Sequence, residues 1–207
     1  MVYMSNNTEA NFTEQIAKLI SLILDPRVLI APTAIAVSLK ASKSVIISLT
    51  WVLLLFLLTA FPIICIIFFK TKKGVFTDNQ VSNKIQRNNL YLISFIGIAV
   101  TLLIMILNKG PKYLITMLVA MFFSSLFAGI LNKIIKVSVH MGAYVGAVVS
   151  LIASWGIKVL PLLLFIPLVG WSRIVLRRHT LTEVIIGGTI GLTITSLTFL
   201  LLLPFIN

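Results

Sequence analysis

The sequence predicts an all-α integral membrane protein, a bundle of about six to seven transmembrane helices. Three observations carry that expectation. The chain of 207 residues is 59% hydrophobic and only 11% charged, where a soluble domain carries roughly 25% charge. Apolar runs recur along it, and the longest can cover the ~30 Å hydrocarbon core of a bilayer at ~1.5 Å per residue. The polar residues are gathered into short segments between those runs. Residues 1–15 read as a polar N-terminal tail and 16–207 as a single transmembrane domain.

The elements follow in order. Ile16, Leu19, Ile20 and Ile23 share one helical face, and Asp25-Pro26-Arg27 interrupts the pattern before apolar residues resume from Val28 to Leu39. Either 16–39 is one kinked span, the preferred reading, or its first piece lies flat and its second is re-entrant. Val45 to Phe69 is a full span in which Pro62 can introduce a kink. A polar loop, 70–89, is followed by spans over 90–107 and 113–131 and a second polar segment over 132–140. Residues 141–171 read as two short spans turning at Trp155-Gly156-Ile157-Lys158, because a lysine in mid-membrane is expensive and glycine permits a tight turn. Gly142 and Gly146, four apart, would let another helix approach closely. A third polar segment precedes the last span, 184–203. Two crossings separate each polar loop from the next, so 70–89, 132–140 and 171–183 are expected on one side.

Composition excludes several functions. The single cysteine, Cys65, lies in an apolar run, which leaves no disulfide framework and no thiolate metal site. The N-terminus lacks the basic region and small-residue cleavage site of a signal peptide. A net charge of +12 raises the question of nucleic acid. Basic residues confined to short loops between apolar runs fit lipid headgroups better, so the expected partners are the bilayer and an anionic lipid, with no nucleic acid.

The informative stretch is Gly170 to Leu192, GWSRIVLRRHTLTEVIIGGTIGL. His179 and Glu183 are four apart and stack on one helical face. A carboxylate so placed can accept the proton of one imidazole nitrogen and leave the other for chemistry. Arg173, just ahead, has a fork suited to phosphate or carboxylate. The chain has only five acidic residues, Glu9, Glu14, Asp25, Asp78 and Glu183, and two histidines, His140 and His179. So sparse a set argues against a two-metal phosphatase centre, and no metal or cofactor is expected. The alternative for Glu183 is a plain helix-start acid that neutralises nearby arginines.

Ser172-Arg173, five residues, His179, three residues, Glu183 resembles the third signature of the type 2 phosphatidic acid phosphatase superfamily, SR-x5-H-x3-D. Lys136-Val-Ser138-Val-His140 resembles its second, usually S-G-H. The first, K-x6-R-P, is degraded: Arg87 stands for the arginine, Gln80 replaces the lysine seven residues before it, and Asn88 replaces the proline. Glu183 for Asp and Val139 for Gly are further departures, which bear on substrate and turnover more than on reaction class. The resemblance covers roughly residues 75–192.

It implies a membrane lipid phosphatase that needs no metal and works through a phosphohistidine. His179 would be the nucleophile, Glu183 its orienting carboxylate and His140 the general acid and base. Arg173, Arg87, Lys84 and Lys136 would bind the phosphoryl oxygens, with Ser138 donating a hydrogen bond. The implied substrate is a polyprenyl diphosphate of the dolichyl or undecaprenyl type, or a related lipid phosphate. A glycerolipid phosphate, phosphatidate or phosphatidylglycerophosphate, is the alternative. A phosphotransferase using the same intermediate and a non-catalytic membrane subunit or transporter are the competing classes. The catalytic loops hold ten Lys or Arg against five on the opposite loops, which alone would place the site in the cytoplasm. A phosphate site recruits cations for its own chemistry, however, and proteins of the resembled kind commonly work on the extracytoplasmic face. The site is therefore expected there.

Overall fold

The computed structural model describes residues 5–42, 44–77, 81, 83, 86 and 88–206. It is helical, with no strand among those residues. Five segments are long and apolar enough to cross a membrane, or up to six if a bent pair at the start forms one span. Large apolar side chains such as Leu53, Phe68, Leu103, Phe127, Leu197 and Leu200 are exposed on the outside of the bundle. That surface is compatible with an integral membrane protein and unlike a soluble monomer's, which rarely exposes so much contiguous apolar area.

Helix α1 (Ser5–Ile23) begins well before the apolar face at Ile16, so the polar segment is helical from Ser5 onward. It joins α2 (Pro26–Ser42) at a break, and the pair Phe12–Ile23 and Pro26–Ser42 is bent by 41°. Pro26 opens α2, where its missing N–H is harmless. Helices α3 (Val45–Leu55) and α4 (Phe61–Lys72) form one long rod through a π-helical turn over Phe56–Ala60. The cause is legible in Pro62, which has no N–H to offer the Leu58 carbonyl four residues back. That carbonyl instead faces Gly97 of α5 (Asn88–Leu107), where a Cβ would collide with it. Helix α6 (Lys112–Leu131) follows after a turn in which Lys109 takes a left-handed conformation.

Helix α7 (Val139–Trp155) ends at Gly156, whose φ of +69° suits glycine and reverses the chain. The return is antiparallel, with the Tyr144 hydroxyl donating to the Leu162 carbonyl at 2.8 Å and Val169 packing with Met141, Val145 and Val148. Two arms with a turn at Trp155–Lys158 are thus what the chain forms. The returning arm departs from expectation in starting as ten residues of 3-10 helix, Gly156–Phe165, before α8 (Ile166–Val175). Pro161 inside it cannot donate an α-helical hydrogen bond.

The last long helix, α9 (Leu181–Leu202), crosses α7 at very close range. A Cβ on Gly187 would strike the Ser138 carbonyl, one on Gly191 the Gly142 carbonyl, and one on Gly142 the Gly187 carbonyl. The close approach expected of Gly142 is therefore real, and its partner is a glycine on α9. Above the crossing lies a core of Met141, Tyr144, Val145, Val148, Val169 and Val184. A second core, with Val37, Val52, Leu114, Leu118 and Phe199, holds the opposite end of the bundle.

Candidate active site

The crossing brings the N-termini of α7 and α9 together, and with them the second and third polar segments. The Ser138 amide donates to the Glu183 carbonyl at 3.3 Å, and Lys136 Nζ donates to the Arg178 carbonyl at 2.6 Å. Lys136 thus ties the two segments to each other in this structure.

The spacing around Arg173 has a local explanation. Arg173 occupies the last turn of α8, and its carbonyl accepts from the amides of Arg178 at 3.0 Å and His179 at 3.3 Å. Arg177 takes a φ of 52° to close this turn. The five residues between Arg173 and His179 are one helix end and a tight reversal, which return His179 to the side of Arg173. Thr180 then caps α9, its hydroxyl accepting from the Glu183 amide at 3.3 Å.

His179 Nδ1 lies 2.7 Å from Glu183 Oε2. The same oxygen accepts from the Thr180 amide at 3.3 Å, which completes a capping box. Glu183 therefore closes the start of α9 and holds an imidazole with the same oxygen. With Nδ1–H on the carboxylate, a neutral His179 carries its lone pair on Nε2. The imidazole is almost wholly buried, with 1% of the side chain exposed.

Arg173 is buried as well, and its Nη1 donates to Ser21 Oγ of α1 at 2.6 Å. One turn further along, past the end of α1, stands Asp25, also buried. Its Oδ2 lies 3.1 Å from His140 Nε2. Its carboxylate also takes the Arg27 fork, at 2.8 Å from Nε and 2.7 Å from Nη2, and the Arg27 amide at 2.8 Å. His140 thus has a carboxylate of its own, carried by the joint between α1 and α2.

No known family, no curated protein and no solved structure matches the chain.

Ser138, at the N-cap of α7, is fully buried with its hydroxyl unpartnered. It lines a cavity of about 270 Å³ that runs inward between α2, the α3–α4 rod, α5, α6, α7 and α9. Arg27 and Ser138 lie where the cavity meets the histidine end; Ile98, Met117, Ser150 and Thr195 line it further in. Its walls are mostly apolar, with small residues such as Gly142, Ala143, Gly146 and Ala147 along α7.

Of the residues singled out in the sequence, Lys136, Ser138, His140, Arg173, His179 and Glu183 converge on this one end. Arg87 and Lys84, with Asp78 and Gln80 of the degraded first signature, lie outside the described residues. Among the described residues no three of His, Cys, Asp and Glu come together as a metal-ligand set. The sequence reading missed Asp25, Arg27 and Ser21, taking Asp25-Pro26-Arg27 as a helix breaker. The signal that could have found them is an acidic residue set between apolar runs, which is stable there only with partners.

Proposed function

We propose that this chain is a metal-independent membrane lipid phosphatase that hydrolyses a polyprenyl diphosphate or a related lipid phosphate through a phosphohistidine. The observation that supports it is the meeting of two histidines, each held by a carboxylate, at the crossed N-termini of α7 and α9, beside an apolar cavity leading into the bundle. Neither the histidine pair nor the cavity alone would favour a lipid phosphate; together they provide for both its head and its tail.

In the proposed reaction His179 Nε2 attacks phosphorus while Glu183 holds Nδ1–H and offsets the imidazolium charge. The P–O bond to the leaving group breaks, and the departing oxygen, on a lipid monophosphate from a diphosphate substrate or on the lipid alcohol from a monophosphate, takes a proton from His140. Water then attacks the phosphohistidine, giving its proton to His140, and the P–N electron pair returns to Nε2. Arg173, Ser138 and the open amides at the start of α9 supply positive potential for the phosphoryl oxygens. The site faces the extracytoplasmic side in this reading.

The test is phosphate release by purified protein in detergent from a panel of polyprenyl diphosphates, polyprenyl phosphates and glycerolipid phosphates, with and without chelator. Release from a long-chain isoprenoid substrate, undiminished by chelator, is expected. Rapid-quench labelling with a radioactive substrate should give acid-labile phosphoenzyme in the wild type and none in His179→Ala. Label that persists in His179→Ala overturns the nucleophile assignment; no release from any lipid overturns the proposal. Added alcohol acceptor appearing in product would instead make the protein a phosphotransferase.

A further inference from the structure

We propose that Asp25 is the positioning carboxylate of His140 and fixes it in the opposite tautomer from His179. The two pairs use different ring nitrogens. Glu183 Oε2 meets Nδ1 of His179 at 2.7 Å, whereas Asp25 Oδ2 meets Nε2 of His140 at 3.1 Å. An imidazole donating to a carboxylate carries its proton on the bonded nitrogen, so neutral His179 is the Nδ1–H form and neutral His140 the Nε2–H form. The lone pair then sits on Nε2 of His179 and on Nδ1 of His140.

The joint between α1 and α2 is built for this. Asp25 is 2% exposed and receives four donors, three of them from Arg27 and one from His140. Arg27 locks the plane of the carboxylate through both oxygens, which leaves Oδ2 aimed at the histidine. Four residues before Asp25, Ser21 receives Arg173, so the end of α1 steadies the arginine of one signature and the joint steadies the histidine of the other. Among the described residues, the charged groups facing His140 are Asp25, Arg27 and Arg173. Its Nδ1 makes no hydrogen bond among the described residues.

Resting on the phosphatase reading, the consequence is a division of labour. The imidazolium of His140 gives its Nδ1 proton to the leaving oxygen, and neutral His140 then takes a proton from water at the same atom. Nε2–H stays on Asp25 throughout. Asp25 touches neither phosphorus nor water; it acts through His140.

The two histidines make the test direct. Protein labelled with 15N and 13C in histidine, measured above the imidazole titration, should show one Nδ1–H and one Nε2–H ring, assigned with a His179→Gln variant. In Asp25→Asn the amide turns its N–H toward the ring, so His140 should switch to Nδ1–H while His179 is unmoved. A wild-type His140 in the Nδ1–H form, or one that keeps Nε2–H in Asp25→Asn, overturns the proposal. Should Asp25→Asn not fold, the wild-type tautomer of His140 decides alone. In turnover, Asp25→Asn should lose at least tenfold more rate on an alkyl phosphate than on an aryl phosphate whose leaving group needs no proton. Equal losses on both also overturn the positioning role. Absence of any turnover in wild-type protein would sink the phosphatase reading while leaving the tautomer result standing.

Discussion

One oxygen of Glu183 serves two donors, the His179 ring and the Thr180 amide, and this allows structure and chemistry to be separated at a single residue. Glu183→Gln keeps an acceptor for the amide, so the start of α9 and the thermal stability should be preserved. The neutral amide cannot offset an imidazolium and can hold the wrong tautomer. Turnover should therefore fall on the order of 10²–10³, less than the ~10⁴ of the serine-protease carboxylate because the arginines still stabilise the phosphoryl charge. Turnover of the Gln variant beside wild type at matched folded protein is the measurement, and near-normal activity would reduce Glu183 to a helix cap. This pair was legible in the sequence because its partners are four residues apart on one helix. Asp25 was not, because its partner His140 stands 115 residues away and no periodicity connects them. The Lys136 ammonium also donates to the Arg178 carbonyl, a contact that only the fold creates.

At the scale of elements, the crossing of α7 and α9 carries the site, and adjacent glycines of α9 differ sharply in what they do there. A Cβ on Gly187 would run into the Ser138 backbone, whereas one on Gly188 would stand 3.4 Å from the flexible side chain of Met141, an ordinary contact. Gly187→Ala should destabilise the fold by about 1–3 kcal/mol, the range for overpacking a tight contact, and push Ser138 and His140 away from Glu183. Gly188→Ala should be near neutral in both stability and turnover. Thermal melting and turnover of the two variants side by side check this, and equal behaviour would mean the crossing is slack. The long helices themselves were readable, since twenty apolar residues in a row admit few other forms in a bilayer. The π-helical turn before Pro62 and the 3-10 start of the returning arm were not. Both are choices of hydrogen-bond register, made where proline removes a donor, and a neighbouring helix decides which register packs.

At the scale of the molecule, every described polar loop falls at one of two ends. Ile134 and Arg177 lie with the histidines, while Lys109 and Lys158 mark the far end, where Lys40 sits 5.4 Å over the Trp155 ring. Single cysteines at these four positions, in a Cys65→Ala background, should react with an impermeant reagent as two pairs from opposite sides of sealed vesicles. Lys158→Cys reacting with the first pair would refute the fold-back at Gly156. The long-range ties also impose an order of assembly during synthesis. Asp25 and Arg27 are two residues apart and can join as soon as that joint is made, so the carboxylate meets the membrane border already neutralised. His140 reaches it only after α7 emerges, and Arg173 finds Ser21, 152 residues upstream, later still. A ribosome-bound chain halted before α7 would therefore hold the Asp25 carboxylate in a purely local clasp, and the histidine end would close only when the last third of the protein had been added.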